Sequence, residues 1–128
     1  MASAKPIASA RDVYVRLRAM RRARQEHFLV FCLNSRAGLI KREVVSIGIL
    51  DGTIAHPREV FYPAIIHNAA NIIIAHNHPS GDTTPSEADV TITERLVQAG
   101  ALLGIEVLDH VIVGESGYTS LRTEGLIR

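Results

Sequence analysis

The chain contains one cysteine, Cys32, among its 128 residues. A single thiol excludes an internal disulfide and fits a reducing compartment. Cys32 sits within the apolar run FLVFCL, which points to a buried, inert thiol rather than a reactive one. Long apolar stretches are missing as well, and those present run for only a few residues, too few to span a bilayer. The N-terminal MASAKPIASARD turns basic and polar at once, without a secretory apolar core. The expectation is a cytoplasmic protein that does not enter a membrane. Repeats and low-complexity linkers are also absent. What remains, 47% hydrophobic and 21% charged, is the make-up of one soluble domain with a real core.

Charge is scarce overall, at a net +1, but unevenly placed. Residues 1–24 carry seven basic side chains against the single acid Asp12, a local +6, while the rest of the chain sums to −5. A basic arm on an acidic body can bind nucleic acid. The plainer reading is a solvated helix face docked on that body, because the arm interleaves no aromatic beyond Tyr14.

Periodicity supplies the elements. Val13, Leu17 and Met20 recur at helical spacing, which predicts an amphipathic helix over about Ser9 to Arg24. His27 to Leu33 reads as a buried strand, and Asn34 to Gly38 as a turn. A second strand follows, from Leu39 to about Ile49, ended by Asp51-Gly52. Pro57 suits the first turn of a helix whose apolar face is Val60, Phe61, Ala64, Ile65 and Ala69. The short β-branched run Asn71 to Ala75 reads as a central strand buried on both faces. Ser86 to Leu103 reads as a helix ending near Gly104, with Ile92, Leu96, Ala99 and Leu103 inward. Val107 to Val113 and Tyr118 to Leu121 close the chain as strands. Alternating strands and helices of this kind make an α/β sandwich with a mixed sheet.

The chemistry concentrates in HNHPSGDTTPSEAD, His76 to Asp89. His76 and His78 share one side of an extended segment, since strand side chains repeat every second residue. They end a central strand, where α/β sheets place their ligands. The turn-rich loop is long enough to return the start of the next helix, with Asp89 on it, to that strand end. Two imidazoles and one carboxylate suit zinc and leave a fourth position for water. A purely structural role also fits: Ser86-Glu87-Ala88-Asp89 is a capping-box pattern, in which Asp89 only satisfies backbone donors. Among other histidines, His56 before Pro57 could cap the helix or line a cleft mouth, and His110 beside Asp109 reads as a core or supporting residue.

Two zinc chemistries are excluded by missing motifs. There is no His-x-Glu with Pro-Cys-x-x-Cys, as nucleobase deaminases need, and no His-Glu-x-x-His.

The spacing His-x-His-Pro, six residues, Ser, two residues, Asp resembles the signature of the JAMM (MPN+) metalloproteases. AHNHPSGD, HPREVF and LVQAGALLGIEVLDHVIVG are similar, more closely, to the RadC-type branch, and the likeness runs from about Gln25 to the C-terminus. The resemblance implies a cytidine-deaminase-like α/β/α layout, with residues 25–128 as the domain and residues 1–24 as a basic arm. It implies a zinc ion held by His76, His78 and Asp89, and a hydroxyl at Ser86 that steadies the oxyanion. It also implies a glutamate near the first strand acting on the metal's water. Glu26, in QEHFLVF, matches best, and Glu43 is the second choice. The implied activity is hydrolysis of a peptide or isopeptide bond in a protein or peptide substrate, with loops Thr53 to Arg58 and Ser80 to Pro85 shaping the cleft. Full-length members carry an N-terminal helical, DNA-binding-like region for which these 128 residues leave no room. Two other readings stand beside the hydrolase: a DNA-associated protein or metal-dependent nuclease, as the branch's historical link to repair suggests, and a catalytically silent scaffold.

Overall fold

The structure, a computed structural model, describes residues 6–47 and 56–127. Helix α1 (Ala10–Arg16) and a 3-10 turn (Met20–Arg22) lead into strands β1 (His27–Leu33) and β2 (Leu39–Ile47). Helix α2 (Pro57–Ile66), strand β3 (Asn71–Asn77), helix α3 (Glu87–Leu103), strand β4 (Glu106–Val113) and strand β5 (Tyr118–Ser120) follow. The strands form one sheet in the order β2-β1-β3-β4-β5. Only β3 and β4, joined through α3, run parallel; the other pairings are antiparallel. The expected α/β sandwich with a mixed sheet is what forms.

The two-residue strand repeat sorts the core into two halves. Phe28, Val30, Cys32, Ile72 and Ile74 pack beneath α2 and α3 with Val60, Phe61, Ala64, Ile92 and Leu96. Leu29, Phe31, Leu33, Ile73 and Ala75 face the other way and pack with Val13 and Leu17 from the N-terminal helical segment. Three layers result, α/β/α. Both β1 and β3 are covered on both faces, which is why their sequences are nearly unbroken apolar runs. Gly100 lets the chain leaving α3 fold back against the helix, since a Cβ there would stand 2.3 Å from the Ile105 carbonyl oxygen.

Several expectations need correction. The first helix stops at Arg16 instead of running to Arg24, because tertiary partners replace its next turn. Arg42 on β2 donates to the Arg16 carbonyl at 2.8 Å, and the chain folds back to lay Arg21 over the Tyr14 ring at 4.0 Å. Ile65 and Leu103, read as inward-facing, are 57% and 50% exposed. Ile65 sits one position round α2 from the fully buried Ala64, and Leu103 is the last residue of α3. Strand β3 is two residues longer than the apolar run, because His76 keeps pairing with β1 and β4 and Asn77 with β4. The Asp51-Gly52 turn, the end of the second strand beyond Ile47, and residues 53–55 of the first cleft loop lie outside the described residues.

Candidate metal centre

His76 pairs with Phe28 of β1 and Ile112 of β4, so it sits in the middle of the sheet near its end. Its side chain shares the α3 face with Ile74. His78 follows two residues later on the same side. The loop between is tightly held. The His78 amide donates to the Val113 carbonyl at 2.9 Å, and Gly81 returns to the His78 carbonyl at 2.9 Å. The Asp82 carboxylate accepts from the Thr84 hydroxyl at 2.7 Å and the Thr84 amide at 3.0 Å.

That loop delivers the start of α3. Ser86 is its N-cap, with Oγ accepting from the Asp89 amide at 3.0 Å while the Ser86 amide donates to Asp89 Oδ2 at 2.8 Å. The capping box is therefore real, and it coexists with a second role for Asp89. Asp89 Oδ1 stands 3.3 Å from His76 Nε2, and Oδ2 stands 3.1 Å from His78 Nε2. One carboxylate spans both imidazoles.

Glu26 immediately precedes β1, and its Oε1 lies 4.0 Å from His76 Nε2. Glu26, His76 and His78 each bring one ligand atom within 4.8 Å of the others, a group able to hold a metal ion. Glu43 points elsewhere: it lies on β2, 3.9 Å from Lys41. His56 starts α2, where its amide donates to Glu59 at 3.1 Å. The oxygen of Ser86 uses a lone pair for the cap and keeps its proton free to donate.

The electrostatics are those of a site with a preset charge. Burial alone would push the Asp89 carboxyl up, but contacts with His76 and His78 outweigh it and hold the group well below the usual carboxylate range. The hydrogen bond with Asp89 raises His78. The His78 ring is oriented from its other side, because Nδ1 lies 2.8 Å from the Asp82 carbonyl, which can only accept. His78 Nδ1 therefore carries the proton, and Nε2 is the atom that faces the site. His76 Nε2 is buried and has no aligned hydrogen-bond partner, a costly state for a polar atom unless something else uses its lone pair. Two ligands of a tetrahedral zinc, each about 2.0–2.1 Å from the ion, stand about 3.3 Å apart. The separations of Asp89 from the two imidazoles, 3.3 Å through Oδ1 and 3.1 Å through Oδ2, are of that order, so two nitrogens and a carboxylate oxygen here are a donor set able to hold a metal ion, zinc among them.

The sequence reading did not single out Asn77, whereas its reading of His110 as a core or supporting residue agrees with the structure. Asn77, fully buried, points to the opposite face from its histidine neighbours. There its Oδ1 accepts from the His27 amide at 2.6 Å, and its Nδ2 donates to the Gln25 and Ala23 carbonyls at 3.1 and 3.3 Å. His110, also fully buried, lies directly behind His76. Phe28 packs against both rings, with centroids 5.7 Å away in each case. The one available signal was the polar Asn set between two histidines at the end of an apolar strand.

Fold and site together define a metallohydrolase-like α/β domain. A family model described as the RadC-like JAB domain matches residues 7–126. The chain is 47% identical over 125 residues to a UPF0758 protein of Methanosarcina barkeri, covering 97% of this chain and 55% of that protein. It is 54% identical over 108 residues to a UPF0758 protein of Syntrophomonas wolfei, covering 84% and 46%. A third UPF0758 protein, from Symbiobacterium thermophilum, is 56% identical over 102 residues, covering 80% and 44%. The chain belongs to the RadC-like JAB family, a branch of a metallohydrolase-like superfamily. It spans about half the length of these curated relatives. Among the described residues, no helix is long and apolar enough to cross a membrane.

Proposed function

We propose that this domain is a zinc-dependent hydrolase of the JAMM type that cleaves a peptide or isopeptide bond. The observation that carries the proposal is the Asp89 carboxylate bridging His76 Nε2 and His78 Nε2 at 3.3 and 3.1 Å, with Glu26 4.0 Å from the same His76 nitrogen. In this reading His76, His78 and Asp89 hold the ion. A zinc ion there supplies a water activated at neutral pH and a positive charge that polarises the attacked carbonyl.

The chain's own groups do the rest. Glu26 is more distant than Asp89 and 39% exposed at its side chain, which suits a group that takes a proton rather than one that ligates. Its carboxylate accepts a proton from water and returns it to the leaving nitrogen. The Ser86 hydroxyl, already aligned by its cap, donates its free proton toward charge developing on the carbonyl oxygen. Asn77 holds the segment that carries Glu26.

The deciding experiment is metal analysis of the purified protein, joined to a screen of peptide, isopeptide and nucleic-acid substrates before and after chelation. One zinc per chain and chelator-sensitive amide cleavage are expected. A protein that takes up no zinc, or that cleaves only nucleic acid, overturns the proposal.

A further inference from the structure

We infer that Thr93 and His110 act as positioning residues that fix the tautomer of His76, so that its Nε2 lone pair faces the metal centre. The Thr93 hydroxyl has a single proton. Thr93 Oγ1 lies 2.7 Å from the Asp89 carbonyl oxygen. A carbonyl only accepts, so the hydroxyl donates its one proton there. The same Oγ1 lies 2.6 Å from His110 Nδ1. That second bond needs a proton from the ring, so His110 is protonated at Nδ1.

His110 is fully buried, and the hydrogen-bond partners of its ring are Thr93 and His76. Burial holds the His110 ring uncharged, so with its proton on Nδ1 its Nε2 is a bare acceptor. His76 Nδ1 stands 2.8 Å from that Nε2, so His76 donates its Nδ1 proton there. This leaves His76 Nε2, not Nδ1, as the nitrogen available to an ion. It is the buried atom without an aligned partner described above. The relay starts and ends on Asp89: its carbonyl sets the proton order, and its carboxylate meets the lone pair that results.

A bulge makes the relay geometrically available. In the pairing of β3 with β4, Ile72 faces Val107 but Ile73 faces Asp109, so Leu108 is passed over. Val107 packs on the α2 and α3 side, whereas Leu108 and Val111 pack on the α1 side. Strict alternation along these residues from Val107 would point His110 toward α1. The one-residue shift turns it instead beneath α3, beside Thr93 and His76. Bulges serve this purpose next to functional sites, re-aiming one side chain.

The consequence deepens the proposed metal centre and rests on it. A histidine beside two carboxylates has reason to carry its proton on the nitrogen that faces them, where it would block an ion. The hydrogen bond on the other nitrogen decides the matter. A hydroxyl and a carbonyl at the end of the relay do this without adding negative charge to the site.

The test uses the full chain. Nitrogen-15 spectra of the histidine rings in metal-stripped protein should show His110 protonated at Nδ1 and bare at Nε2. A nitrogen–nitrogen coupling should cross the hydrogen bond from His76 Nδ1 to His110 Nε2. A proton on His110 Nε2 overturns the inference, because His76 Nδ1 would then be the acceptor. In a chelator competition with zinc alone, Thr93→Val should weaken binding by roughly 10–100-fold and mix the His110 tautomers. Thr93→Ser, which keeps the hydroxyl, should restore both. Unchanged tautomers and wild-type affinity in Thr93→Val also overturn the inference. If the unmutated protein takes up no zinc, the metal reading fails, and the spectra alone judge the relay.

Discussion

The side-chain oxygen of Asn77 accepts a hydrogen bond from the His27 amide at 2.6 Å, and this ties the segment bearing Glu26 to the strand bearing the two histidines. The side-chain nitrogen of Asn77 donates to the Gln25 and Ala23 carbonyls. Successive strand residues point to opposite faces. His76 and His78 thus serve the α3 side, while Asn77 between them serves the α1 side and anchors the approach to β1. One three-residue stretch organises both halves of the site.

Asn77→Ala should therefore separate positioning from ligation. It leaves the His27 amide and two carbonyls without their partner, at a cost of about 1–3 kcal/mol in stability by urea denaturation. Faster hydrogen exchange at the His27 amide should accompany it. Zinc stoichiometry should hold while hydrolysis falls. Full hydrolytic activity with a rapidly exchanging His27 amide would show that Glu26 needs no such anchor.

Asp89 has two roles that substitution can divide. Asp89→Asn keeps an oxygen for the Ser86 amide but loses the negative charge. Asp89→Ala loses both and should cost about 1 kcal/mol more in the metal-free protein, the usual weight of a helix cap. Both variants should lose zinc. Wild-type zinc content in Asp89→Ala would remove Asp89 from the ligand set.

Cys32 gives a pH test remote from the centre. Burial, helped by the Glu43 carboxylate, lifts its thiol from 9.0 to about 11. Below pH 9 the thiol is protonated in folded and unfolded chains alike. Between pH 9 and 11 the unfolded chain ionises and the folded chain does not, so the folded state binds more protons and stability falls as pH rises. The loss should reach about 2–3 kcal/mol by pH 11. Urea midpoints at pH 8 and pH 10.5, compared between wild type and Cys32→Ala, isolate it. An equal decline in both proteins would assign the slope to other groups. Thiol reagents should react with Cys32 only on unfolding.

Much of this molecule is legible in its residue order, for identifiable physical reasons. Strands β1 and β3 announce themselves because burial on both faces leaves no polar position. Helix α3 is bracketed by a Ser86 cap and by Gly104, whose φ of 73° suits glycine. The spacing from His76 to Asp89 carries the geometry of the centre because a strand end and a helix start are both rigid. Glu26 is different: it lies outside any regular element, so only family resemblance pointed to it. The place of His110 depends on a bulge at Leu108, and no periodicity announces a one-residue slip. The early end of α1 depends on Arg42, a partner from another strand.

The N-terminal segment is expected to behave as part of the core. Val13 is fully buried and Leu17 is 3% exposed, both packed among Leu29, Phe31 and Ile73. Leu17→Ala should lower stability by about 2–5 kcal/mol. Deleting residues 1–24 should lower the melting temperature and increase binding of an apolar dye. A nucleic-acid role predicts the reverse pattern: stability almost unchanged, with a salt-sensitive DNA affinity lost on truncation. That second pattern would overturn the packing account.

Glu26→Gln is the sharpest test of mechanism. The substitution keeps shape and hydrogen bonding but cannot accept a proton. Glu26 Oε1 lies 4.0 Å from His76 Nε2, against 3.3 Å for Asp89, so the two carboxylates should answer differently to substitution. If Glu26 handles the proton, the variant keeps wild-type zinc stoichiometry while the hydrolytic rate drops by roughly 10²–10⁴, the usual weight of a positioned acid–base group. If Glu26 is a ligand, zinc is lost along with the rate, and the ligand group becomes Glu26, His76 and His78. If it is only a surface carboxylate, neither quantity moves, and the proton-transfer role of Glu26 is overturned. The measurement needs both columns, metal content and rate, on the same preparation. Only retained zinc with a collapsed rate supports the proton-transfer role, because no packing defect at a half-exposed side chain produces that pair of results.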